Sequence, residues 1–191
     1  MAGGAPPAVL AMLTPTFLLI AVVRVLGSLP VLRWPFAGGI LAILVDLLDL
    51  ILLDWLDPLA FAHYQAFDKY LDQVYMLTFL VVAMRWEGIE RNVAVALYLF
   101  RLVGFVAFEL TGARISLVLF PNVFEIWFLV VAGLHASGRR VAWRAPQLVA
   151  VLAVALLAKE IQEWAIHGAR LFDNMSSLQV LDDAFGWLTG R

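Results

Sequence analysis

Six aspartates fall within a short stretch of the chain: Asp46, Asp49, Asp54 and Asp57 in one apolar run, and Asp68 and Asp72 soon after it. Asp46 and Asp49 stand three apart and Asp68 and Asp72 four apart, so on helices each pair shares one face. Asp57, eleven residues after Asp46, returns to nearly the same face. Carboxylate oxygens are the hard ligands that Mg²⁺, Mn²⁺ and Ca²⁺ prefer, and Asp46, Asp49, Asp68 and Asp72 carry the charge that two divalent ions would neutralise. A metal pair held this way activates a nucleophile and stabilises a phosphoryl-transfer transition state. Lys69 or Arg101 would then contact the phosphate. The bland alternative is that these carboxylates pair with buried arginines or reach a polar boundary, which suits Asp54 and Asp57 best.

The elements that must position these groups are apolar. The 191 residues are 63% hydrophobic and 15% charged, with a mean hydropathy of +0.91, well above the roughly half-apolar composition of soluble domains. A hydrocarbon core about 30 Å thick takes about 20 residues per helix. The expected fold is therefore all-α, a polytopic membrane helix bundle of about six transmembrane helices in a single domain. The spans are expected at about 8–25, 36–56, 67–86, 92–111, 117–136 and 146–167, with an amphipathic tail over 168–191. The fifth is interrupted near Pro121. Trp34, Trp55, Trp86, Trp143 and Trp164 fall near span ends, where indoles prefer the headgroup layer. MAGGAPPA, at the start, holds no Lys or Arg, so the first apolar stretch reads as a retained helix.

Arg24, Arg33, Arg85, Arg91, Arg139, Arg140 and Arg144 lie on one side of this arrangement and Lys69, Arg114, Arg170 and Arg191 on the other, which places both termini outside. A composition rich in Ala, Leu, Val and Arg suits a GC-rich bacterium, so a bacterial plasma (inner) membrane is the expected location. The net charge of −2 and the absence of a large basic patch exclude nucleic acid as a partner; membrane lipids are expected instead. With no cysteine, disulfides, thiolate metal sites and cysteine nucleophiles are excluded.

Further charges lie inside the spans. Arg101 falls near the centre of the fourth span and Glu109 two turns on, while Glu125 follows the interruption at Pro121. Arg101 either holds a phosphate or carboxylate, or forms an ion pair with an aspartate of the second span or with Glu125. Glu109 and Glu125, with the acidic face of the second span, would line a cation or proton pathway; a pathway on an oligomer axis would make the chain a homo-oligomer. Lys159 and Glu163 stand at i, i+4 and would pair with each other. His63, His135 and His167 read as interfacial, and neither a zinc-protease spacing nor a serine-hydrolase elbow is present.

The pattern Asp46-x2-Asp49, then Asp68, then Asp72 after x3, resembles the aspartate skeleton of the CDP-alcohol phosphatidyltransferases, six-helix membrane enzymes of similar length. The resemblance covers this motif region and the helix count. It implies a Mg²⁺ or Mn²⁺ site formed by Asp46, Asp49, Asp68 and Asp72, with Asp72 as the base that deprotonates an acceptor hydroxyl. Where that family has two glycines and an Ala-Arg pair, this chain has Leu50 and Tyr64, and Leu53 with Asp54. Three functions follow from these residues: a divalent-metal-dependent membrane enzyme transferring a phosphate-linked group in lipid metabolism, a cation or proton transporter or channel, and a non-catalytic membrane scaffold.

Overall fold

The computed structural model describes residues 15–56, 61–113 and 115–163, with the side chains at 49–56, 61–69 and 162–163 outside that description. Among the described residues every regular element is helical. Helix α1 (Pro15–Ser28) leads through a 3₁₀ turn (Leu29–Leu32) into α2 (Pro35–Leu56). Helix α3 (Phe61–Ala83) and α4 (Gly88–Thr111) follow, then the short α5 (Ile115–Leu119), α6 (Val123–Ala136) and α7 (Ala145–Glu163).

Local chemistry explains the boundaries. Prolines open α1 and α2, where the missing N–H costs nothing and the fixed φ suits the first turn. Helix α4 ends on Gly112 at φ +67°, whose N–H bonds back to Phe108 O at 2.7 Å. The break between α5 and α6 falls at Pro121 and Asn122. Pro121 has no N–H to carry a helix through, so carbonyls before it need other donors.

Helix α6 is the central element. It packs against α2, α3, α4 and α7 and buries Phe124, Trp127, Phe128 and Val131 completely. Its aromatic residues interlock with α3: Phe79 stacks on Phe128 with ring centroids 4.0 Å apart, and Trp86 stacks on the same ring at 5.3 Å. Helix α1 sits to one side, packed on α2 and α3. Glycine allows the closest approach there: a Cβ on Gly38 would lie 2.4 Å from the backbone nitrogen of Val31.

The polarity runs opposite to that of a soluble domain. Large apolar side chains face outward on α1, α2, α3, α4 and α7, among them Leu26, Leu47, Leu77, Val103, Leu110 and Val154, while α6 is enclosed by its neighbours. Arg24, Asn122, Glu125 and Lys159 are buried instead. A surface this apolar over charges this deep is what a lipid solvent selects and water does not. Three segments, Pro15–Leu32, Gly88–Thr111 and Ile115–Ala136, are long and apolar enough to cross a membrane, and Pro35–Leu48 and Tyr70–Ala83 are shorter apolar stretches.

One end of the bundle is basic. The 3₁₀ turn, the C-terminal ends of α3 and α6 and the N-terminal ends of α4 and α7 meet there, exposing Arg33, Arg85, Arg91, Arg139, Arg140 and Arg144. Arg85 Nη1 donates to Leu32 O at 3.1 Å, joining α3 to the 3₁₀ turn. Glu90 gathers the same end together: its carboxylate accepts from Trp143 Nε1 and lies against His135 Nε2, both at 2.8 Å. Its backbone carbonyl accepts from Trp127 Nε1 at 3.2 Å.

Candidate functional site

The buried charges lie in one layer across the bundle. Asp46 is eleven residues from the basic end of α2, Asp72 fourteen from Trp86, Glu125 ten from His135 and Lys159 fourteen from Ala145. At about 1.5 Å per residue, all four lie about 15–21 Å from the basic end, near the middle of a hydrocarbon core about 30 Å thick.

Half of this layer is centred on Arg24. Its guanidinium is 3% exposed and pairs with both Asp46 of α2 and Asp72 of α3, the latter at 2.8 Å. Among the described residues, three helices thus deliver one cation and two anions to a single point. Arg24 reads in the sequence as a basic residue near a span end; α1 continues one turn past it to Ser28 and turns it inward. The sequence feature that points to it is its position inside an apolar run with carboxylates on the next two helices.

The other half is centred on Glu125, in the first turn of α6. Three donors converge on its Oε2: Lys159 Nζ at 3.0 Å, Asn122 Nδ2 at 3.1 Å and the Tyr75 hydroxyl at 3.3 Å. Asn122 Nδ2 also donates to Tyr75 Oη at 3.2 Å. The break at Pro121 puts Asn122 at the start of α6, where its side chain, instead of capping the helix, turns onto Glu125. Asn122 Oδ1 is buried without a donor among the described residues. Lys159 reaches across to Glu125; the side chain of Glu163, the partner its spacing suggests, lies outside the described residues.

The halves are linked through α3. Asp72 and Tyr75 are three residues apart and share a face, and Asp72, Arg24 and Arg101 all act electrostatically on the Tyr75 hydroxyl. Arg101, a candidate for phosphate or carboxylate, donates to two main-chain oxygens, Phe120 O at 2.8 Å and Leu117 O at 3.3 Å. These are carbonyls that the break leaves without helical partners, so Arg101 holds the interruption in place. Gly104, one turn further on, lets Phe120 come close: a Cβ there would lie 2.3 Å from Phe120 Cβ. Glu109 is away from the layer, exposed, and accepts from the Tyr70 hydroxyl at 2.7 Å.

Of the four-aspartate metal set, two side chains, Asp46 and Asp72, are among the described residues. Asp46 and Asp72 do converge, and the group they converge on is a guanidinium. Two carboxylates already matched to a cation are not, by themselves, a divalent-metal site. Among the described residues no group of three or more His, Cys, Asp or Glu side chains comes together. Asp49, Asp68 and Lys69 belong to the stretches whose side chains lie outside the described residues, as does Asp54; Asp57 lies outside altogether.

No protein-family model, no curated protein and no solved structure matches the chain.

Proposed function

We propose that the chain is a six-span integral membrane protein of the bacterial plasma membrane, with its arginine-rich end cytoplasmic, that moves protons through the layer centred on Glu125. The observation that carries this reading is the placement of Glu125 at a helix break in mid-membrane, with Lys159, Tyr75 and Asn122 on one carboxylate oxygen. Ionisable groups at this depth are costly and mark proton or ion paths, and broken helices at membrane depth are tolerated where they line such paths. Protonating Glu125 releases Lys159 from its ion pair, and Tyr75 and Asn122 offer a hydroxyl and a carboxamide through which donors and acceptors rearrange.

The test is proton flux in vesicles reconstituted with the full chain, loaded with a pH-sensitive dye and driven by a potassium diffusion potential. Flux above that of empty vesicles, lost in Glu125→Gln and in Lys159→Met, is the expected result. No flux in correctly folded protein would sink the reading.

A second reading, metal-dependent transfer of a phosphate-linked group in lipid metabolism, is favoured by the meeting of Asp46 and Asp72 at one point. In it Asp46, Asp49, Asp68 and Asp72 would hold Mg²⁺ or Mn²⁺ in place of the Arg24 contact, Asp72 would take the proton of an acceptor hydroxyl, and Lys69 or Arg101 would contact phosphate. Saturable Mn²⁺ binding seen by electron paramagnetic resonance, lost in Asp46→Asn, would favour it over proton movement.

A further inference from the structure

At the basic end, between the 3₁₀ turn, α2, α3 and α6, lies a cavity of about 410 Å³, within the about 300–1,000 Å³ typical of small-ligand sites. It is lined by Arg33, Trp34, Phe36, Trp86, Ala132 and His135. The walls are apolar and aromatic: Trp86 stacks on Phe128 and meets the His135 ring edge-on at 5.7 Å, and the Phe36 ring packs against Gly133 so closely that a Cβ there would lie 3.1 Å from it. The polar groups sit at one rim. His135 is already matched to Glu90, which leaves Arg33 as the exposed cation of the lining. Arg85 stands beside it, held by Leu32 O, the carbonyl that directly precedes Arg33.

We propose that this cavity is a binding site for an anionic phospholipid, with Arg33 and Arg85 on the headgroup phosphate and the Trp34, Phe36 and Trp86 walls against the glycerol and first acyl carbons. Three observations decide for a lipid over a soluble anion. The cavity lies at the level of Trp34, Trp86 and Trp143, side chains that prefer the headgroup layer. Its walls are apolar where a free phosphate would need donors all round. It opens on the end of the bundle where six exposed arginines gather, which attracts the anionic lipids of a cytoplasmic leaflet. The site is separate from the charge layer and does not depend on what that layer does.

The experiment is a thermal unfolding titration of the full chain in neutral detergent with phosphatidylglycerol, phosphatidylcholine, glycerol phosphate or inorganic phosphate. Phosphatidylglycerol is expected to raise Tm saturably, with an apparent affinity at least tenfold tighter than that of phosphatidylcholine, and the two soluble phosphates to have no effect at equal concentration. Arg33→Gln combined with Arg85→Gln should weaken phosphatidylglycerol binding at least tenfold. Arg139→Gln with Arg140→Gln, which removes the same charge from the same end outside the cavity, should weaken it less than threefold. Equal affinity for phosphatidylcholine, an equal effect of soluble phosphate, or an equal loss in the two double variants would each overturn the site. A brominated phosphatidylglycerol, which quenches indole fluorescence on contact, gives a second reading: its saturable quenching should fall when Trp34 and Trp86, the two indoles of the cavity wall, are both replaced by Phe, and unchanged quenching would overturn the site.

Discussion

Replacing Arg24 by leucine removes the cation to which Asp46 and Asp72 are both paired, and the structure sets the size of the effect. A carboxylate left ionised near the bilayer centre costs about 2.5–3.5 kcal/mol on the insertion scale. Escape by protonation is no easier, because neutralising an aspartate of ordinary pKa at pH 7 costs about 4 kcal/mol. The two carboxylates are 30% and 22% exposed, so they retain some access to water or headgroups and the two penalties do not add in full. The expected loss is about 3–5 kcal/mol, the usual result of removing one partner of a buried pair, out of a total stability of about 5–15 kcal/mol. Arg24→Leu combined with Asp46→Asn and Asp72→Asn should recover part of that loss, since the two described carboxylates are then neutralised together with the cation. The assay is reversible unfolding in mixed micelles, followed by tryptophan fluorescence. A single-variant loss below about 1 kcal/mol would refute the buried-pair reasoning. A triple variant as unstable as the single one would show that the packing of the arginine stem, not its charge, accounts for the loss.

Two adjacent glycines should behave differently under the same assay. Gly38→Ala places a Cβ 2.4 Å from a backbone nitrogen that cannot yield, whereas Gly39→Ala meets only the tips of Leu129 and Phe128 at 3.0 and 3.2 Å; losses of about 3 kcal/mol and about 1 kcal/mol are expected, and equal losses would mean that the 3₁₀ turn does not press on α2. Glu90→Ala leaves the Trp143 N–H and His135 without their acceptor and should cost about 1–3 kcal/mol. Hydrogen exchange should rise across 137–144, the connection that Glu90 ties down, and unchanged protection there would show that the loop is held by other contacts.

Much of this arrangement is legible in the residues themselves. Hydropathy and the tryptophan positions mark where the chain runs through lipid, and Pro121 marks the interruption between α5 and α6. Charges in apolar runs single out Asp46, Asp72, Arg101 and Glu125 as residues that need partners. What a one-dimensional reading does not supply is which partner each takes. Lys159 reaches Glu125 because α7 packs on α6, and its spacing to Glu163 gives no sign of that partner. Among the described residues Arg101 takes main-chain partners, because the break at Pro121 creates two unpaired carbonyls within its reach, and no charge pattern announces them. Tyr75 and Asn122 carry no formal charge and stand out only once Glu125 is seen between them. Helix rotation and inter-helix packing, which decide all three cases, depend on the shapes of Phe79, Phe124 and Phe128 more than on periodicity.

The two halves of the charge layer differ in what a proton would do to them. At Arg24, a guanidinium stays protonated at any accessible pH and holds two carboxylates, so neutralising one of them still leaves an ion pair with the other. That half is buffered, and its natural role is to fix α1, α2 and α3 at one depth. At Glu125 a carboxylate meets an ammonium, Lys159, together with a hydroxyl and a carboxamide on the same oxygen. On the proton-movement proposal the Glu125–Lys159 pair is the part of the layer that exchanges protons, and the Arg24 guanidinium with Asp46 and Asp72 is the part that does not. Tyr75 stands three residues from Asp72 on α3 and gives its hydroxyl to Glu125, so one face of one helix spans the distance between the two halves.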